Sequence, residues 1–317
     1  MPEFDLIARI HARAASRDDV VLGIGDDAAI LRVPSGRDLV VAMDTLNSGV
    51  HFPEDTAPAD IGWKALAVNL SDLAAMAAMP AWCTLSLSLP QPDAAWIDGF
   101  LDGFLALATQ HEVALVGGDT TRGPLSVCVT VHGLVEPRGA LRRKGARAGD
   151  DVWVTGTLGD AAAALRQWQS GGAVDSALRA RLDRPTPRVA AGHALAGIAS
   201  ACIDVSDGLL ADIGHVCRAS RVGAVLDVDV LPASDALRRA FDRETVRVLQ
   251  SAGGDDYELC FTAPKTARLA VESVLQACDV PAARIGRITA DAELIILHDA
   301  DGAEWSPPRR GYEHFGG

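Results

Sequence analysis

Aromatic residues make up only 5% of this 317-residue chain, so its core must be built mainly from Ala, Val, Leu and Ile. Glutamate is also scarce: of 42 acidic residues, 32 are Asp and only 10 are Glu. Helix surfaces favour Glu, because Asp competes for backbone hydrogen bonds and forms helices poorly. The imbalance therefore points to loops, caps and hard-metal sites. Basic residues are in the minority, 29 Lys and Arg against the 42 acids, and the net charge of −13 excludes the basic stripe of a nucleic-acid binder. No apolar run approaches the roughly 18–20 residues of a membrane span, so no membrane partner is expected. Met1 to Leu6 carries no basic segment followed by an apolar one, so no secretory signal is read. Cys83, Cys128, Cys202, Cys217, Cys260 and Cys278 form no CxxC pair. They are expected to be buried reduced thiols in a cytoplasmic protein. The familiar phosphate and protease motifs are absent as well: no GxxxxGK[ST] loop, no HRD or DFG, no GxSxG and no HExxH.

What remains is a chain that is 49% hydrophobic, enough for a large core. Its length favours two domains, since single cores stop growing near about 250–300 residues. Short β-branched runs (Val20–Ile24, Asp38–Met43, Trp82–Leu89, Val113–Val116, Leu125–Val135) alternate with helical spacing over Pro58–Ala78 and Asp93–Gln110. The glycine-rich segment Arg138–Gly149 is the one basic cluster, and the boundary is placed there, giving domains 1–137 and 138–317. Beyond it, strands are predicted at 151–155, 224–228, 258–262 and 293–297. Helices are predicted near 158–170, 187–199 and after Asp207. The fold class is α/β with α+β character.

Aspartates punctuate the ends of the apolar runs: Gly25-Asp26-Asp27, Met43-Asp44-Thr45, Ser71-Asp72, Gly117-Gly118-Asp119-Thr120, Asp204-Val205-Ser206-Asp207-Gly208 and Gly253-Gly254-Asp255-Asp256. Any one alone is adequately explained as a turn or an N-cap. Six together are another matter, because strand-end loops converge at one edge of an α/β sheet, where ligands bind. Gathered carboxylates repel one another unless cations sit between them. Mg²⁺ suits such a set, completing its shell with water and substrate phosphates. The pattern reads as metal-assisted phosphate chemistry.

These same residues resemble a known family. Leu22-Gly-Ile-Gly-Asp-Asp27, Met43-Asp-Thr-Leu46, Lys64 to Met76, Gly117-Gly-Asp-Thr-Thr-Arg-Gly-Pro124, Val154-Thr-Gly-Thr157, Asp204-Val-Ser-Asp-Gly-Leu209, Gly253-Gly-Asp-Asp-Tyr-Glu-Leu259 and Gly311-Tyr-Glu-His-Phe315 are similar, in order, to the motifs of thiamine-monophosphate kinases in the aminoimidazole-ribonucleotide-synthetase-like superfamily. The resemblance implies transfer of the ATP γ-phosphoryl group to thiamine monophosphate, with several Mg²⁺ ions. It also implies an N-terminal domain that forms a β-barrel across a homodimer. Carried over by motif, Asp27, Asp44, Asp72, Asp119, Asp204 and Asp207 are the metal positions. Gly118, Asp119, Arg143 and Ser206 meet ATP, and His51, Asp255 and Tyr312 meet thiamine monophosphate. No covalent catalytic residue is implied.

Three departures from the family pattern stand out. Ala42 and Met43 replace hydroxyl residues before Asp44, Asp255 replaces a glutamate, and the helix after Asp72 carries Ala77 where a glycine is usual, a change expected to be tolerated. Two competing readings remain. One is another ATP-dependent synthetase of the superfamily; the other is a non-catalytic nucleotide-binding homologue.

Overall fold

The computed structural model describes residues 3–312. The chain divides into two compact units. One comprises the residues up to Leu73 with Ala78–Arg138, and the other Ala74–Ala77 with the chain from Gly139 onward.

The first unit runs α1 (Glu3–Arg13), β1 (Val20–Leu22), β2 (Ile30–Leu31), β3 (Asp38–Asn47), α2 (Pro58–Ala75), β4 (Met79–Leu89), α3 (Ala94–Gln110), β5 (Ala114–Arg122) and β6 (Ser126–Val135). Four strands form a sheet in the order β3-β6-β4-β5, antiparallel except for the parallel β4–β5 pair. Among the described residues this sheet does not close on itself: β3 and β5 are its edges. Strict alternation in β6 buries Val127, Val129, Val131 and Val135 on the face that meets α2, where Leu73 packs against Gly133. Asp93 caps α3 by accepting from the Ala95 and Trp96 amides. Behind the cap, Ile97, Phe100, Leu101, Phe104 and Leu107 recur at helical spacing and are buried. The opposite face of the sheet is partly covered by the β1–β2 hairpin. There Trp82 packs with Ala81, Ala114 and Val116 under Val20 and Leu31, and its indole donates to Asp19 at 2.9 Å.

The helix α2 ends at an unusual residue. Ala77 has φ +56°, while the Ala78 amide returns to the Leu73 carbonyl at 2.9 Å. This is the left-handed C-cap that glycine normally fills. The sequence departure noted at this position therefore carries backbone strain.

The second unit contains β7 (Asp151–Thr155), α4 (Asp160–Gln169), α5 (Ser176–Asp183), α6 (Val189–Ala194), β8 (Ala201–Asp204), α7 (Leu209–Ser220), β9 (Gly223–Asp227), α8 (Asp235–Ala240), α9 (Arg243–Ala252), β10 (Leu259–Ala263), α10 (Arg268–Ala277), β11 (Ala282–Thr289), β12 (Ile295–His298) and β13 (Glu304–Trp305). Its seven strands lie in the order β13-β12-β9-β11-β7-β10-β8, with one parallel pair, β9–β12. Every residue of β7 and β10 is buried, as befits central strands covered on both faces. One apolar cluster joins β7, β8, β9 and β11 to α7 through Val152, Ile203, Leu226, Ile285 and Ile213. A second knits α4, α5, α8 and α9.

The architecture is thus two-domain and mixed α/β. Three expectations need correction. The glycine-rich stretch 117–122 is not a turn: β5 continues through it to Arg122, because its backbone stays in register with Thr84–Leu89 of β4. Likewise β3 runs on to Asn47, held by ten consecutive pairings with β6. Cysteine burial is also incomplete: four thiols are buried, while Cys128 and Cys278 are partly exposed. Burial pushes the Cys217 thiol up to about 11.

Candidate active site

In the first unit, the aspartates read as strand-end turns occupy three kinds of position. Asp27 lies in the loop between β1 and β2, where Gly25 takes φ +125°. Asp44 and Asp119 lie within strands, and Asp72 lies within α2. The amide of Asp44 donates to Asn69 Oδ1 at 2.9 Å, which fastens β3 to α2 one helical turn before Asp72. Asp119 pairs in register with Ser86, which pairs with Cys128, which pairs with Thr45. Asp44 belongs to the adjacent row, with Val129, Leu85 and Gly118, on the face that α2 covers. The pleat therefore divides the set. Among the described residues, no three Asp, Glu, His or Cys side chains already form a metal cage.

Gly118 is demanded by the backbone. Its φ is +150°, and a Cβ there would lie 1.8 Å from the Leu85 carbonyl oxygen. It sits beside a cleft of about 520 Å³ lined by Ile7 and Ile10 of α1, the loop from Gly23 to Ala29, and Gly117 to Thr120. Asp26, Asp27 and Asp119 supply the acidic part of that lining. His51 accepts the Asn47 amide on Nδ1 at 2.9 Å, and its carbonyl accepts from Lys64 Nζ at 2.9 Å. Lys64 is 1% exposed. A lysine inside the apolar run of α2 was the sequence signal for this buried ammonium, and no role was assigned to it.

In the second unit the candidate residues other than Arg143 gather round one loop. β8 ends at Asp204, and Ser206 and Asp207 follow before α7 begins at Leu209. The Asp255 amide donates to the Ser206 carbonyl at 2.8 Å, and the Tyr312 amide to the Asp207 carbonyl at 3.0 Å. Residues 313–315 of the C-terminal motif lie outside the described residues. The helix start is not capped by a hydroxyl. Instead Asp212, one turn into α7, accepts the amides of Ser206, Asp207 and Gly208 on one oxygen at 3.1–3.2 Å. Burial, then the charges of Asp204 and Asp207, push Asp212 up to about 8 despite those donors. Arg143 lies at the other end of α7. Its carbonyl accepts from Ser220 Oγ, which also receives the Gly145 and Ala146 amides, so the basic segment is anchored rather than free. Burial, then the charges of Arg218 and Arg143, hold His215 below its ordinary range, which puts Arg143 within electrostatic reach of α7.

Beneath this loop lies an ion cluster that the sequence reading did not single out. Glu258, 0% exposed, accepts from Arg188 Nε and Nη2 at 2.6 Å, from Arg181 Nη2 at 2.8 Å and from Thr155 Oγ1 at 2.7 Å. Gly156 has no side chain because a Cβ would meet Glu258 Oε1 at 2.0 Å. The neighbouring Asp256 is fully buried, accepts the Gly159 amide on both oxygens, and is raised well above the usual carboxylate range by burial. The sequence signal was the pair of acids Asp256 and Glu258 flanking a tyrosine before an apolar strand.

The two-unit architecture with these loops defines an AIR synthase related protein. The N-terminal and C-terminal domain models of that class match residues 25–135 and 147–299. Thiamine-monophosphate kinase of Salmonella typhimurium strain LT2 is 47% identical over 319 residues, covering 99% of this chain and 98% of that protein. The crystal structure of thiamine-monophosphate kinase from Stenotrophomonas maltophilia K279a superposes with a TM-score of 0.88 at 55% identity, covering 96% of this chain and 98% of that one. AaThiL, solved in complex with AMPPCP and TMP, gives a TM-score of 0.78 at 30% identity over 98% of this chain and 96% of its own. The chain belongs to the thiamine-monophosphate kinase family.

Proposed function

We infer that this chain transfers the γ-phosphoryl group of ATP to thiamine monophosphate, yielding thiamine diphosphate and ADP. The observation that carries this is 47% identity to a thiamine-monophosphate kinase along 99% of the chain. A relative bound to both AMPPCP and TMP supports the same pair of substrates.

Both reactants are anionic phosphates, so the first barrier is repulsion. A phosphate monoester has a second pKa of about 6 and needs no strong general base to act as a nucleophile. The residues proposed to hold Mg²⁺ are Asp27, Asp44, Asp72, Asp119, Asp204 and Asp207. The donor set fits a hard cation, being carboxylates without thiol or imidazole. Burial, and after it the charges of Asp204 and Asp207, raises Asp212, and a cation would relieve the second of these. The division of Asp44 and Asp119 between two rows of the sheet supports several ions rather than one cage. Bound Mg²⁺ would neutralise phosphate charge and help to align the reacting groups. Each unit adds groups of its own. Arg143 pairs with ATP phosphates through its fork of donors, Gly118 and Ser206 let the nucleotide approach, and His51, Asp255 and Tyr312 orient thiamine monophosphate. Transfer is direct and in line, with no phosphoenzyme.

The reading includes a homodimer in which two copies pair their four-stranded sheets into a barrel. Its support is an unpartnered apolar row on β3: Leu39, Val41 (56% exposed) and Met43 (61% exposed) alternate along an edge strand. A cytoplasmic location is supported by six thiols outside any disulfide. Among the described residues, no helix is long and apolar enough to cross a membrane.

The test is incubation with ATP, Mg²⁺ and thiamine monophosphate. Thiamine diphosphate and ADP in equal amounts support the kinase; ADP with free phosphate overturns it. Loss of turnover on chelation, with recovery on adding Mg²⁺, tests the metal assignment.

A further inference from the structure

We propose that Tyr257 is a positioning residue whose hydroxyl aims the Asp255 carboxylate at thiamine monophosphate. The proposal deepens the function above and rests on its placement of Asp255 at that substrate.

Tyr257 Oη donates to Asp255 Oδ1 at 2.9 Å, across only two residues. Such a short bridge needs an unusual backbone, and the chain supplies one. Asp255 has φ +69° and Tyr257 has φ +50°, two left-handed residues that are not glycine, separated by one position. Backbone of this kind persists only where the surroundings enforce it. Here three bonds do so. The Asp255 amide donates to Ser206 O, the Tyr257 amide to Val205 O, and the Val205 amide to Glu258 O, each at 2.8 Å. Asp256, between the two, is turned inward with both oxygens on the Gly159 amide. Glu258, immediately after, is locked by Arg181 and Arg188. Tyr257 is itself buried, so its ring cannot swing away.

The result is a rigid clasp with a carboxylate at its tip. One carboxylate oxygen is committed to the phenol, which fixes the plane of the group and directs its charge. A carboxylate held in this way suits the cationic thiazolium or the amino group that thiamine monophosphate offers, and ATP has no fixed cation to match it. The clasp therefore bears on recognition of the acceptor and leaves the nucleotide alone.

The experiment is steady-state kinetics of Tyr257→Phe, Asp255→Ala and the double variant, with thermal midpoints recorded for each. Phenylalanine keeps the ring and removes only the hydroxyl, so the fold is retained. The expected result for Tyr257→Phe is a rise in KM for thiamine monophosphate of about fivefold to tenfold, the scale of one ordinary hydrogen bond. Its KM for ATP and its kcat stay within about twofold, since only binding of the acceptor is affected. Asp255→Ala raises the same KM at least as far, and adding Tyr257→Phe to it changes nothing more. If Asp255→Ala acts and Tyr257→Phe does not, or if the two effects multiply in the double variant, the positioning role is overturned while the substrate contact stands. If Asp255→Ala leaves that KM unmoved, the placement of Asp255 falls, and the clasp falls with it.

Discussion

Arg188 grips Glu258 with two parallel bonds of 2.6 Å, its Nε on one carboxylate oxygen and its Nη2 on the other, where Glu258 has no exposed surface. Removing one member of such a pair strands a charge away from water. Arg188→Ala is expected to lower stability by about 3–5 kcal/mol. Urea unfolding checks this: a fall in midpoint of less than about 0.5 kcal/mol equivalent would show that Arg181 alone satisfies the carboxylate.

Ala77 offers the opposite opportunity. An L side chain in the left-handed region costs roughly 1–2 kcal/mol, part of which glycine gives back through unfolded-state entropy. Ala77→Gly should raise stability by about 0.5–1 kcal/mol with an unchanged denaturant slope. A loss of stability would mean that the Ala77 methyl contributes more by packing than its backbone costs.

Asp229 gives a pH signature outside the candidate residues. Burial alone would raise it, but the Arg247 fork, the Ala300 amide and Arg243 outweigh burial and hold it at about 2. A carboxylate depressed in this way contributes stability above its unfolded value of about 4, and the contribution is lost as pH falls through about 2. Asp229→Asn should therefore melt below the parent at pH 6, and the two curves should converge on acidification. A gap at pH 2 as large as the gap at pH 6 would contradict the assignment.

The edge of β3 makes a prediction about assembly. Met43→Glu and Val41→Lys place charge on the unpartnered apolar row, and a burial-driven dimer does not tolerate it. Light scattering should show the parent as a dimer and each variant as a monomer. A parent that is already monomeric would remove the homodimer from the proposed function.

Asp72→Asn tests the metal set from the helical side. One lost carboxylate should raise the Mg²⁺ concentration for half-maximal rate by about tenfold or more, with little change in the unfolding midpoint measured without metal. Unchanged Mg²⁺ dependence would exclude Asp72 as a ligand.

Much of the fold was legible from periodicity. Asp93 announced α3, the run Trp82–Leu89 marked β4, and Pro58 opened α2. The extent of β5 was not legible, because Gly117 and Gly118 look like a turn unless the neighbouring strand is known; only the pairing with β4 makes them strand. The sheet order of the second unit was hidden for a similar reason, since β8 and β10 pair across more than fifty residues of intervening chain. The candidate carboxylates could be named from motifs, but their rows in the sheet depend on pleat and register, which no single motif encodes. Glu258 and Lys64 escaped notice because burial of a charge is a property of its surroundings. Their own letters carry no trace of it.

β3 presents two unlike programmes on its alternate residues. Leu39, Val41 and Met43 face one way, and Asp44, fastened to Asn69, belongs to the other. A deletion or insertion of one residue anywhere between Asp38 and Met43 would exchange these faces. Apolar side chains would turn toward α2 while a candidate metal ligand turned into the proposed contact between copies. Substitution can tune either task separately, but a change in the length of this strand alters both at once.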